Sequence, residues 1–151
     1  ADGAQLTSCD RCTILKNSIH DNEADGLHIA DSKQTLISGN EIWNNGEYGV
    51  QIHGLNLRHI LTHNVIRNCG SGGIYIYEGQ IIILTDNSLV DNQNFNAQDN
   101  DANQWEHNFY SDYMGSDLDG DGFGDEPYVI YGRRGAFSVD PKPLMTAPGV
   151  N

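Results

Sequence analysis

Three features of this sequence predict an all-β solenoid: a single-stranded parallel β-helix of about four coils of 23–24 residues, with an irregular C-terminal cap. The first is a repeat. Asn17, Asn40, Asn64 and Asn87 are spaced by 23, 24 and 23 residues, and two places after each stands Ile19, Ile42, Ile66 or Leu89. A fixed period in the twenties marks units that cannot bury their own apolar stripe and must stack. The second is alternation. Leu27-x-Ile29, Val50-x-Ile52 and Ile74-x-Ile76 place apolar residues two apart, the period of a strand. The third is what lies between these runs: Asn, Asp, Gly and Ser, the residues of turns. Paired-helix repeats need more than about 30 residues, and the Leu-x-x-Leu-x-Leu run of leucine-rich repeats is absent.

Taken in order, the chain starts partway through a coil, because Asp2-Gly3-Ala4-x-Leu6 aligns with Asp25-Gly26-Leu27-x-Ile29 at an offset of 23. No leader pattern, capping helix or polar cap precedes it. An uncapped β-helix exposes strand edges and the end of its core. The expectation is that further coils precede residue 1 in a parent protein, or that a partner covers this end, including a second copy stacked end to end. Cys9 and Cys12 have the spacing of half a zinc site or a redox motif, without a second Cys pair or a fitting His pair. A local disulfide is the other reading, and geometry decides. The coils are expected over residues 1–98, and the cap over 99–151 of the same domain. In each coil the anchoring Asn stacks about 4.8 Å from its own copies, where an amide can donate and accept along the column. Asn22, Asn45, Cys69 and Asn92 make a second inward column, in which Cys69 is a small buried filler.

Beyond the coils, Asp117-x-Asp119-x-Asp121-Gly122-Phe123-Gly124-Asp125 is the strongest chemical motif. Alternating carboxylates in a tight loop converge on one hard cation, with a backbone carbonyl as a further ligand. Four carboxylates this close repel unless neutralised, so calcium is expected on Asp117, Asp119, Asp121, the Phe123 carbonyl and Asp125. Gly122 supplies the sharp bend. Tyr128 stands where a helix-loop-helix calcium site has its bidentate Glu, and the flanks favour strands. The loop is more similar to those of thrombospondin-type or dockerin-type repeats. Its expected role is structural, pinning the cap; a solvated acidic turn is the bland alternative.

If Ile19, Ile42 and Ile66 point inward, then His20, Trp43, Arg67 and Val90 form an outward column. His28, Gln51 and Tyr75, and Ala30, His53 and Tyr77, form two more. Exposed aromatics on a flat sheet can stack on sugar rings, which makes His53, Tyr75 and Tyr77, with Glu78 beside them, the candidate substrate-binding residues. Columns that merely stabilise themselves, with Arg67 over Trp43 as a cation–π pair, are the alternative. Glycoside hydrolysis needs two carboxylates across the bond. The outward acids count as scattered: Asp31, Glu41, Glu78 and Asp86. No catalytic residue is assigned. His59 and His63 can approach across a bend but make no recognisable copper-ligand set.

Composition narrows the partners. The 151 residues carry 21 acidic against 8 basic side chains, a formal charge of −13. Such a surface disfavours nucleic acid and anionic membranes and favours cations. No apolar run reaches 18 residues, so membrane insertion is not expected.

The repeat Asn-x-Ile-x-x-Asn-x-x-x-Gly-Ile-x-Ile resembles the NosD-type right-handed parallel β-helix, a family overlapping the carbohydrate-binding and sugar-hydrolysing β-helices. The tail strengthens the likeness: Trp105, Asn108, Tyr110-Ser111-Asp112-Tyr113, the acidic loop, Pro127-Tyr128-Val129-Ile130, Asp140 and Pro143-Leu144-Met145 resemble the C-terminal end of many such domains in secreted proteins. The resemblance implies a secreted or cell-surface module, with a periplasmic location as another possibility. It implies binding to polysaccharide or a cell-envelope component without catalysis. The alternatives are the C-terminal part of a larger carbohydrate-active enzyme (lyase, hydrolase or epimerase) and a structural subunit that stacks end to end. Fold alone does not choose among these.

Overall fold

The computed structural model describes residues 1–149; residues 150 and 151, the end of the expected cap, lie outside the described residues. The chain winds into five coils of three short strands each. Coil 1 holds β1 (Ala4–Thr7), β2 (Thr13–Leu15) and β3 (Ser18–His20). Coil 2 holds β4 (Leu27–Ala30), β5 (Leu36–Ser38) and β6 (Glu41–Trp43). Coil 3 holds β7 (Tyr48–His53), β8 (Ile60–Thr62) and β9 (Val65–Arg67). Coil 4 holds β10 (Gly72–Ile76), β11 (Ile83–Thr85) and β12 (Ser88–Val90). Coil 5 holds β13 (Ala97–Asp99), β14 (Gln104–Glu106) and β15 (Phe109–Tyr110). Corresponding strands pair in parallel to make three five-stranded sheets: β1-β4-β7-β10-β13, β2-β5-β8-β11-β14 and β3-β6-β9-β12-β15. An antiparallel hairpin, β16 (Tyr128–Tyr131) with β17 (Phe137–Asp140), packs against coil 5.

The solenoid is one coil longer than the repeat predicts, and the expected boundary at residue 98 cuts through β13. Coil 5 escapes the repeat because its anchor, Asn108, follows Asn87 by only 21 residues and no Gly-apolar-x-Ile run precedes it.

The corners turn on residues in the left-handed region. Lys16, Gly39, His63, Asp86 and His107 precede the anchoring asparagines, and Asp21, Asn44, Asn68 and Asp91 precede the second column, all at φ between 51° and 67°. For a side chain other than glycine this costs about 1–2 kcal/mol, and the residue that follows offsets it. The Oδ1 of Asn64 accepts the Asn40 backbone N–H at 3.0 Å and the Asn40 Nδ2 at 2.9 Å. Its Nδ2 donates to the Ile37 carbonyl and to Asn87 Oδ1, both at 3.0 Å. All four hydrogen-bonding positions of a wholly buried amide are filled, so burial leaves none unmet.

Every amide in this ladder donates toward the C-terminal end, so the last one needs a partner that only accepts. Asp140 supplies it: its Oδ2 receives Asn108 N at 2.9 Å, Asn108 Nδ2 at 3.1 Å and the Tyr110 hydroxyl at 3.1 Å. The second column ends likewise, as Asn92 donates to Asn96 and Asn96 to Asp112 Oδ1 at 2.8 Å. Cys69 interrupts that column as a buried free thiol, as expected.

The core is the set of inward stacks. Ile19, Ile42, Ile66 and Leu89 are buried and continue into Tyr110; Leu27, Val50 and Ile74 are buried and continue into Ala97. The column of Ile29, Ile52 and Ile76 ends on a polar side chain, Asp99, which is fully buried. It accepts Trp105 Nε1 at 2.9 Å, Asn103 N at 2.7 Å and the Ser138 hydroxyl at 3.0 Å. Trp105, Tyr110 and Ile130 close this end of the core.

Candidate functional site

The acidic loop forms as a tight turn through its own backbone. Asp117 Oδ1 accepts Gly120 N at 2.8 Å and Asp117 Oδ2 accepts Gly122 N at 3.0 Å, while Asp121 Oδ1 accepts Phe123 N at 2.9 Å. Gly120 and Gly122 take φ of 73° and 91°, which side chains resist. Carboxylate oxygens of Asp117, Asp119 and Asp121 lie within 4.8 Å of one another. Asp125, the fourth expected ligand, lies outside this set and accepts Leu118 N at 2.7 Å through its Oδ2. The expected Phe123 contribution is a carbonyl; its ring packs on His107 at 4.6 Å. Lys142 reaches Asp121 at 3.3 Å. The Phe123 N–H, and after it Lys142, hold the Asp121 carboxyl below its ordinary range. The loop is tied to coil 5 through residues 143–145. Gly124 N donates to Pro143 O at 2.8 Å, Met145 N to Gly122 O at 3.1 Å, and Leu144 N to Asn108 O at 2.9 Å.

The outer face of the first sheet carries His53, Tyr75 and Tyr77 of the expected sugar-contacting residues. His53 is exposed and stacks on Tyr77 at 5.0 Å. Arg133 from the cap covers Tyr77 at 4.9 Å. Tyr75 is only 5% exposed, packed among Tyr48, Phe95 and Tyr77, and its hydroxyl is buried without a partner. A ring so covered cannot be a stacking platform. Glu78 lines a separate groove with Asp31, Lys33, Leu55, Gln80 and Asp101, where the chain turns from the first sheet to the second. The His20–Trp43–Arg67 column satisfies itself, with His20 stacked on Trp43 at 4.0 Å and Arg67 over the indole at 5.1 Å.

Beyond Tyr75 the aromatic face runs into a cleft of about 460 Å³ between coil 5 and the cap, lined by Phe95, Gln98, Asp112, Tyr113, Tyr128 and Tyr131 among others. Tyr131 is 71% exposed. Tyr128 stacks on Tyr110 at 3.7 Å and donates to Asp112 at 3.0 Å; burial and the Asp112 charge raise its phenol pKa. The repeat cannot disclose this cleft, because one wall is the hairpin, which lies outside the period.

A second cluster escapes the sequence reading although the register contains it. Asp2 and Asp25 stack in adjacent coils, and both approach His28. Asp2 Oδ1 accepts Asp25 N at 3.1 Å and Asp25 Oδ1 accepts Tyr48 N at 2.9 Å. Burial, chiefly, pushes the Asp25 pKa up to about 6. The outward acids are therefore not all scattered: the offset that aligns the coil starts also aligns these two.

The histidine pairing weighed for copper does not form. His59 is buried, its Nδ1 accepting Thr35 N and its Nε2 facing Asn56 Oδ1, both at 3.2 Å. His63 Nδ1 bonds the Thr62 hydroxyl at 2.8 Å. Cys9 and Cys12 pair with each other, and no third metal-ligating side chain joins them among the described residues. No helix among the described residues is long and apolar enough to cross a membrane.

Comparison with known families agrees with the winding. A family model described as a right handed beta helix region matches residues 1–109. No curated protein matches, and neither does any solved structure.

Proposed function

Because the chain belongs to the right-handed β-helix family, we propose that it is an extracellular or cell-surface module that binds polysaccharide without cleaving it and holds calcium in its acidic loop. The observation that carries this reading is the cleft beside coil 5. Exposed and half-buried rings of Phe95, Tyr113, Tyr128 and Tyr131 alternate there with Gln98 and Asp112, the mixture of flat apolar faces and hydrogen-bonding groups that suits a sugar. The contact moves from His53, Tyr75 and Tyr77 toward the cap. A net charge of −13 favours a neutral glycan over a polyanionic one. The likeness to NosD-type and carbohydrate-binding β-helices supports the same substrate class. In the loop, Asp117, Asp119 and Asp121 take the ion together, with the Phe123 carbonyl and Asp125 completing the set. The ion fastens residues 116–125 to the 143–145 segment and so to coil 5.

Retention on immobilised neutral polysaccharides, with alginate as the anionic control, tests the reading. Tyr131→Ala removes one exposed ring and reduces retention about tenfold, equivalent to about 1.4 kcal/mol, with an unchanged melting temperature. Equal retention of the variant moves the contact elsewhere. Release of reducing or unsaturated ends by the 151-residue chain overturns the non-catalytic assignment.

A further inference from the structure

We infer that Asp2, Asp25 and His28 form a binding site for a divalent transition-metal ion on the outer face of the first sheet, separate from the acidic loop. The site stands on how three side chains are held. Asp2 and Asp25 each spend one carboxylate oxygen on a backbone N–H of the next coil, Asp25 N at 3.1 Å and Tyr48 N at 2.9 Å. The other oxygen of each is thereby directed at the same atom, His28 Nδ1, from 3.6 Å.

That distance is beyond hydrogen-bond range. It is close to the ~3.4 Å between neighbouring ligand atoms when each sits about 2.1 Å from a tetrahedral zinc ion. Asp25 is 2% exposed, yet its Oδ2 has no hydrogen-bond partner among the described residues. Carboxylate oxygens of Asp2 and Asp25 held within 4.8 Å of each other repel unless a proton or a cation sits between them. Asp2 and His28 are each 23% exposed, so an ion enters from solvent and keeps an open position facing outward. An imidazole with two carboxylates suits zinc or a neighbouring first-row ion better than calcium, which takes six to eight oxygens.

Zinc chloride titrated calorimetrically into the chelator-washed chain, with excess calcium to saturate the acidic loop, is the test. One zinc per chain is expected. His28→Ala and Asp25→Asn each weaken binding about 100-fold, the upper range for loss of even an outer partner. The amide oxygen introduced by Asp25→Asn still accepts from Tyr48 N, so this variant folds; circular dichroism checks it. Asp117→Asn leaves zinc affinity unchanged. Absence of zinc binding at millimolar concentration overturns the site and leaves a proton as what the cluster holds. Undiminished binding in folded His28→Ala, or loss of binding in Asp117→Asn, also overturns it.

Discussion

Asp140→Ala tests whether the asparagine ladder needs a carboxylate at its end. Three donors converge on Asp140 Oδ2: Asn108 N, Asn108 Nδ2 and the Tyr110 hydroxyl. Asn108 and Tyr110 are fully buried. Removing the acceptor strands all three, at about 1–3 kcal/mol each. His107 N and Lys142 N, which reach Oδ1 at 3.1 and 3.2 Å, lose a partner nearer to solvent and recover it from water. Water entering the vacated volume lowers the total, so the expected loss is about 4 kcal/mol. That is a large part of the roughly 5–15 kcal/mol by which domains are stable. In urea, with a slope of about 1–3 kcal/mol per molar, the midpoint falls by more than about 1 M at unchanged slope. Asp140→Asn has the same shape but turns an N–H₂ toward the converging donors, so it is also destabilising, by about 2 kcal/mol. A midpoint for Asp140→Ala within the error of the unaltered chain would refute the argument that the ladder's direction demands an acceptor-only end.

Ile42→Asp places a charge in the wholly buried stack between Ile19 and Ile66; a loss above about 4 kcal/mol, seen as an unfolded circular dichroism spectrum, is expected. His59 is held neutral in the fold, its pKa lowered by burial from the usual 6.5 to about 4. The unfolded chain therefore binds the extra proton first: the contribution is complete above about pH 6.5 and declines as pH falls toward 4, by about 3 kcal/mol in all. His59→Gln flattens the denaturation midpoint over that window; an unchanged pH profile would mean the imidazole is charged or exposed. For the acidic loop, chelator lowers the melting temperature and calcium restores it in a concentration-dependent way. Asp119→Asn, which removes part of the ligand set while its amide oxygen still accepts Asp121 N, abolishes the calcium response; a response that survives it excludes the loop as the binding site.

Much of the fold is legible in the chain. The asparagine period and the Leu27-x-Ile29 alternation are periodic because stacked coils present the same environment once per turn, and identical environments select similar residues. The inward stacks, the amide ladder, the Cys69 filler and the Arg67–Trp43 pair all follow from that register. The fifth coil is harder to read, because Asp99, Trp105 and Tyr110 replace the Ile pattern where the core must close. Tyr75 illustrates the limit on site residues. Alternation says that it faces outward, but outward is not exposed: Phe95 lies over it, in the space left by Gly72, whose missing Cβ would otherwise strike that ring.

By itself the sequence determined the winding: the coil length, which side chains point in, and which columns stack on themselves. These depend on local spacing, and in a solenoid the contacts of one coil are copies of the contacts of the next. Tertiary structure alone decided what lies where the period stops. Asp140 reaches Asn108 from 32 residues away, Ser138 reaches Asp99 from 39, and the cap hairpin forms one wall of the aromatic cleft. The meeting of Asp2 and Asp25 at His28 lies between these cases. Register aligned the two carboxylates, but only the backbone N–H groups of Asp25 and Tyr48 turned their free oxygens onto one imidazole nitrogen. Periodicity places Cα atoms; hydrogen bonds across coils aim the side chains, and chemistry depends on where they are aimed.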